Sequence, residues 1–249
     1  MLVLTSEQRV GSRWIGYLLG DLFSGKESTP EINLNDVENP GTLYRQAMNS
    51  NRVFKIHGNP PLEVVKILGP QIKLLGIVRD PRDRLVSLSF HKRYHLFHDG
   101  FIEKKRDTEL EALQYTVMED GADNQNNYKM LEYMISFHST RALNKTSNYV
   151  WTTYEWLKED TYGEITKILD VLGLDYFPVT IEKLVEKYSF RNLTGRNPGE
   201  EDRKDTFARK GIVGDWKEWF TPEMLERTEE VYSKYYEKIN LELGNSNKK

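Results

Sequence analysis

Cysteine is absent from the 249-residue chain. That absence removes disulfides, thiolate metal sites and a cysteine nucleophile at once. Long apolar runs are absent too, and nothing approaches the ~18 residues that a membrane span requires. No basic, apolar, small-residue leader opens the sequence. An excess of one charge is also missing: 35 Lys and Arg stand against 38 Asp and Glu, for a net −3. The overall balance therefore gives no reason to expect nucleic acid. Proline- or serine-rich linkers and internal repeats are not found. What remains is 38% hydrophobic and 29% charged residues, enough to bury a core and stay in solution. The expectation is a cytoplasmic globular protein with no nucleic-acid or membrane partner. It should be one domain over 1–249, with 244–249 a disordered polar tail.

Short apolar stretches alternate with helical patterns, which predicts strands joined by crossover helices. Strands are expected at Leu2–Ser6, Arg52–Ile56, Ile72–Val78 (the best central candidate) and Tyr149–Thr153. Trp14–Phe23 has helical apolar spacing. Asp80-Pro81 reads as a cap and a first-turn proline opening a helix over Arg82–Tyr94. Thr161–Leu172 reads as an amphipathic helix closed by Gly173, and Pro222–Leu241 as a C-terminal helix. Gly25–Pro40 and Arg191–Arg209 look least structured, and loops of that length are often binding loops. The fold class is α/β.

Four stretches carry candidate chemistry. In Arg9-Val10-Gly11-Ser12-Arg13-Trp14, a strand meets a helix through a glycine-bearing turn, which points backbone N–H groups at an anion. It lacks the two glycines and Lys-Ser/Thr of a Walker A loop, and the plainer alternative is an ordinary turn with a solvated Arg pair. In Val78-Arg79-Asp80-Pro81-Arg82-Asp83-Arg84, Arg79 leaves the C-terminal end of the central strand, where open α/β sheets bind ligands. Ser87 follows two helical turns into the next helix, while Arg82, Asp83 and Arg84 read as a solvated, mutually paired face. Alternation puts Lys55 and His57 on one face of a strand, where they could hold an anion and remove a proton; two polar residues at a strand end is the alternative. Arg209-Lys210-Gly211, with aromatics nearby, would let two cations and open backbone approach one phosphate. His91, His95 and His98 read as a polar helix face, and no metal is expected.

Together these stretches resemble the cytosolic-type sulfotransferase family, whose co-substrate is 3′-phosphoadenosine 5′-phosphosulfate (PAPS). The match is closest in RKGIVGDW at 209–216. IVRDPRDRLVS at 77–87 resembles the family's 3′-phosphate motif, and TTYEWLKED at 152–160 and YSFRNLTGRNPGEED at 188–202 resemble its adenine-side segments. The resemblance implies a three-layer P-loop-like fold with a central, mainly parallel sheet flanked by helices. It implies that Arg9, Gly11, Ser12 and Arg13 hold the 5′-phosphosulfate, with Trp14 against the adenine. Arg79, Ser87, Arg209, Lys210 and Gly211 would hold the 3′-phosphate. Tyr154 and Phe190 would flank the purine, with Ser189 a polar contact. Lys55 and His57 match the family's Lys-x-His, in which the histidine is the base.

One departure bears on mechanism. Arg9 stands where the family has a lysine at the bridging oxygen; arginine keeps the charge but does not donate its proton. Leaving-group stabilisation would then be electrostatic, supplemented by Lys55. The implied reaction is sulfuryl transfer from PAPS to a hydroxyl or amine of a small-molecule acceptor (an alcohol, phenol or amine, as in natural-product tailoring), releasing PAP without a metal. The alternatives are a nucleotide-kinase-like phosphotransferase and a catalytically degenerate nucleotide-binding scaffold. Lys217-x-x-x-Thr221-Pro222-x-x-x-Glu226 resembles the family's dimer motif with proline in place of valine, so a monomer or weak homodimer is expected.

Overall fold

The computed structural model describes residues 2–6, 9–25, 31–32, 53–57, 73–91, 113, 117, 149–202, 208–230 and 232–233. The chain divides into two compact units. The first comprises Met1–Arg79 and His138–Pro198, the second Asp80–Phe137 and Gly199–Lys249.

The first unit is built on a five-stranded sheet in the order β2-β3-β1-β4-β5. Its strands are β1 (Leu2–Ser6), β2 (Glu31–Ile32), β3 (Val53–His57), β4 (Lys73–Val78) and β5 (Tyr149–Thr153). Every pairing is parallel, so the expectation of a mainly parallel sheet holds. β1 is central and buried at all five positions. Its last residue, Ser6, lies in register with His57 on one side and Ile77 on the other. The chain leaves β1 toward β2 and β3 and then returns to lay β4 on the opposite flank. That reversal makes the C-terminal edge of β1 the switch point where such sheets take ligands.

Helix α1 (Ser12–Ser24) follows β1. Ile15, Leu18 and Leu19 at helical spacing are fully buried, and Leu22 packs against the same core. Gly25, left-handed at φ 61°, ends the helix and donates its N–H to the Asp21 carbonyl. Leu2 and Leu4 of β1 and Leu75 and Ile77 of β4 alternate toward that core, as a strand's period of two requires. This unit also holds helices absent from the sequence reading, among them α3 (Tyr154–Glu159) and α5 (Pro178–Lys187). The expected α4 (Thr161–Leu172) is present, capped by Asp160, which accepts the Gly163 N–H at 2.8 Å, and closed by Gly173. Thr152 donates to the buried Glu164 carboxylate at 2.7 Å and ties β5 to α4.

In the second unit, α2 (Pro81–His91) opens as expected: Asp80 accepts the Arg82 backbone N–H at 2.9 Å. Phe90 meets Trp219 edge to face at 5.3 Å. A 3-10 turn spans Asp215–Glu218, and residues 222–230 are helical. The stretch 191–209 is less open than the sequence implied. Helix α6 (Phe190–Thr194) lies in the first unit. In the second, Gly199 and Asp202 donate backbone hydrogen bonds to Lys210 and Arg209. The expected reach of α2 to Tyr94, the far end of the C-terminal helix, His95, His98 and the tail 244–249 lie outside the described residues. Among the described residues, no helix is long and apolar enough to cross a membrane.

Candidate active site

The first unit gathers one group of the expected residues around Tyr154. Between β1 and α1 the backbone turns through two left-handed residues, Arg9 at φ 70° and Gly11 at φ 86°. For arginine that conformation is uncommon and costs about 1–3 kcal/mol. At Gly11 it comes with a second constraint, because a Cβ there would lie 2.8 Å from Tyr154 Cδ2. Only glycine fits. Ser12 opens α1 without a side-chain cap and with no acidic residue in its first turn, so the helix N-terminus keeps its affinity for an anion. Ser12 is buried and Arg13 exposed.

Arg79 reaches the same place from the end of β4. Its Nη1 donates to the Arg9 carbonyl at 3.3 Å, and its guanidinium lies 4.2 Å over the Tyr154 ring. Trp14 meets Tyr154 edge to face at 6.2 Å and donates its indole N–H to the Tyr188 carbonyl at 2.7 Å. That bond brings the loop to the segment carrying Ser189 and Phe190. Ser189 caps α6 by accepting the Asn192 N–H, and Phe190 lies beneath the Arg196 guanidinium. Lys55 is buried in β3, in register with Leu4. His57 is placed by its backbone at the end of β3; its side chain lies outside the described residues. Beside it, the Ser6 hydroxyl is buried with no hydrogen-bond partner among the described residues. A polar ligand or water would satisfy such a group.

Lys158 belongs to this group and the sequence reading missed it. It stands one turn after Tyr154 on α3, with Nζ 5.7 Å from the Trp14 ring centroid. Burial, and then the neighbouring Arg79 charge, hold its ammonium below the usual lysine range.

The second unit holds Ser87, Arg209, Lys210 and Gly211. Here one expectation fails. Asp83 and Arg84 are no solvated face, being 1% and 7% exposed. Asp83 turns inward and accepts the backbone N–H groups of Gly214 (2.7 Å) and Trp216 (3.0 Å). Arg82 pairs with Asp80 and lies 3.8 Å over Trp216. Ser87 is half-buried on α2, one turn beyond Asp83. Arg209 is buried, bonded to Glu201 and Asp215 and lying 4.1 Å over Phe90. Lys210 bonds Asp215 and Glu218, each at 2.7 Å. Burial opposes the charge of both partners. Lys210 and Arg209 nevertheless hold the Asp215 carboxyl below its usual range, and Asp215 and Glu218 hold Lys210 above its own. Gly211 takes a left-handed φ of 64° directly after these cations.

A family model described as the sulfotransferase domain matches residues 2–240. The chain belongs to the sulfotransferase family. Among the family's curated members, cytosolic sulfotransferase 3 of Arabidopsis thaliana is 26% identical, over 90% of this chain and 72% of its own length. Sulfotransferase 1E1 of Rattus norvegicus is 25% identical, over 94% of this chain and 82% of its own length. A mouse sulfotransferase solved with PAP superposes with a TM-score of 0.64 at 20% identity, covering 94% of this chain and 82% of that one. The fold is that of the sulfotransferases, and the family's match runs through every motif residue described above.

Proposed function

We propose that the chain is a PAPS-dependent sulfotransferase that moves a sulfuryl group to a hydroxyl or amine of a small-molecule acceptor. The observation that carries this reading is the family match over residues 2–240. The cradle around Tyr154 supports it in detail. An uncapped helix N-terminus, a glycine that no other residue can replace and cations beside aromatic faces suit a purine nucleotide bearing several negative charges.

The parts have these roles. Arg9, Gly11, Ser12 and Arg13 hold the 5′-phosphosulfate, and Trp14 supports the adenine. By the family resemblance, Arg79, Ser87, Arg209, Lys210 and Gly211 hold the 3′-phosphate. Tyr154 and Phe190 flank the purine, and Ser189 contacts its polar edge. His57 takes the proton from the acceptor as its oxygen or nitrogen attacks sulfur. The bond from sulfur to the bridging oxygen breaks, and the electron pair leaves with PAP. Lys55 and Arg9 stabilise the sulfuryl oxygens and the departing phosphate electrostatically. Such a transfer asks the protein chiefly for alignment and charge. The name of the Arabidopsis relative, cytosolic sulfotransferase 3, supports a cytoplasmic location, and the continuous match supports one functional domain.

Calorimetry with 3′,5′-ADP against ATP, followed by sulfate transfer from labelled PAPS to a panel of alcohols, phenols and amines, tests the reading. Tighter binding of 3′,5′-ADP and label in an acceptor are expected. Preference for ATP, or binding of 3′,5′-ADP without transfer to any acceptor class, overturns it.

A further inference from the structure

Helix α1 turns one of its faces toward a single residue. Trp14, Tyr17 and Asp21 stand at i, i+3 and i+7, so they share one side of the helix, and all three meet Tyr188. Trp14 donates its indole N–H to the Tyr188 carbonyl at 2.7 Å. The Tyr17 and Tyr188 rings lie 6.4 Å apart at a tilt of 41°. The Tyr188 hydroxyl donates to Asp21 Oδ2 at 3.0 Å. Tyr188 is thus held at its backbone, its ring and its hydroxyl, and it is buried. Lys187 donates to the same Asp21 oxygen at 2.9 Å. The hydrogen bonds from Lys187 and Tyr188 keep the Asp21 carboxyl below its usual range against the opposing pull of burial, so the acceptor is ionised at neutral pH. All of these residues lie in the first unit. Packing alone does not ask for this arrangement: a phenylalanine at 188 would fill the same space beside Tyr17. The hydroxyl adds direction, because a bond at the far end of a rigid side chain fixes the backbone at its near end. The carbonyl so fixed belongs to the C-cap of α5, beyond that helix's own hydrogen bonds, and the Trp14 indole donates to it. Ser189 and Phe190 follow directly in the chain.

We propose that Asp21 and Tyr188 are positioning residues of the nucleotide site. Asp21 anchors the Tyr188 hydroxyl, the anchored residue places its own carbonyl, and that carbonyl sets the plane of the Trp14 indole against the adenine. This rests on the PAPS-dependent reading, in which Trp14 supports the adenine, and extends it by two residues that touch no ligand. Neither takes part in the transfer itself. Breaking the anchor therefore acts on recognition of the base and spares the phosphates.

The test is calorimetry on the full chain with 3′,5′-ADP and with ribose 3,5-bisphosphate, which carries the same two phosphates and no base. Tyr188→Phe removes the hydroxyl and is expected to lose about five- to tenfold in 3′,5′-ADP affinity, the worth of one ordinary hydrogen bond, with ribose 3,5-bisphosphate affinity unchanged. Asp21→Ala removes the acceptor and is expected to do the same, so the comparison stands if one of the two variants folds poorly. Asp21→Asn keeps an oxygen for the hydroxyl and is expected to keep most of the affinity. A cycle with Trp14→Phe decides the route: in that background Tyr188→Phe is expected to lose nothing further, because its effect runs through the indole. A loss of the same size with and without Trp14 would overturn the proposal. Equal weakening of both ligands, or unchanged affinity for 3′,5′-ADP, would overturn it as well. A wild type that prefers ATP to 3′,5′-ADP is a different result: it removes the PAPS reading and this proposal with it.

Discussion

Lys158 in the first unit and Lys210 in the second are both partly withdrawn from water, and their ionisation is displaced in opposite directions. Burial and Arg79 lower Lys158. At Lys210 burial acts the same way, but Asp215 and Glu218 outweigh it and raise the group. The surroundings differ accordingly. Lys158 rests on an indole face, which attracts a cation without neutralising it. Among the described residues, Lys210 and Arg209 are met by the carboxylates of Glu201, Asp215 and Glu218. The carboxylate-held cations are fixed by their ion pairs, whereas Lys158 is held against an aromatic face. Lysine content alone says nothing about which role a lysine has.

The largest expected effect separates chemistry from both clusters. His57→Ala should lower kcat by about 10²–10⁴-fold, the usual worth of a general base, while calorimetric affinity for PAP stays at the wild-type value. Normal turnover in the folded variant would remove His57 as the base.

Next comes the brace of the second unit. Asp83→Ala leaves the Gly214 and Trp216 amides without their acceptor and should cost about 3 kcal/mol, given about 1.5–3 per hydrogen bond to a charged group. Chemical denaturation measures it. A variant as stable as wild type would show that Asp83 braces nothing.

The cradle of the first unit is challenged by Gly11→Ala. The new methyl must displace the Tyr154 ring while the backbone holds a left-handed φ. A cost of about 1–2 kcal/mol and a PAP affinity lowered about tenfold are expected, read by thermal melts with and without nucleotide. Wild-type affinity would mean that the ring and the loop do not form one site.

The smallest effect sharpens the comparison through pH. The Asp215 carboxyl is held below its ordinary value of about 3.9, so its contribution is complete above that pH. It is lost as pH falls through the lowered folded value. Lys210, raised, contributes fully below about 10.4 and loses this as pH climbs through its folded value. Wild type should therefore melt above Asp215→Asn at neutral pH, with the gap closing below about pH 4. A gap that persists into acid would assign the difference to packing.

Much of the scaffold was legible because its signals are local. Gly173 ends a helix, Asp80 and Pro81 begin one, and short apolar runs mark β1 and β4. Helix α3 was hidden because its cap, Thr153, is also the last residue of β5. The strand runs into the helix with no turn residue between. Helix α5 starts behind the exposed Phe177 instead of a serine, threonine or aspartate. At the candidate site, the left-handed turn before α1 and the exit of Arg79 from β4 could be read because glycine and arginine are themselves the signal. Asp83 could not: its partners are backbone amides 131 and 133 positions away, which carry no side-chain identity. Lys158 was equally silent, since its neighbour is another cation and no pairing pattern exists to notice.

The bond from Trp14 to the Tyr188 carbonyl joins positions 174 residues apart. Closing a loop of that length is slow compared with forming local structure. Synthesis from the N-terminal side makes the Arg9–Trp14 turn first, and the carbonyl that fixes Trp14 follows 174 residues later. The fixed placement of that indole is thus a late property of the polypeptide, and a fragment stopped before Tyr188 keeps the letters of the turn without the partner that holds Trp14.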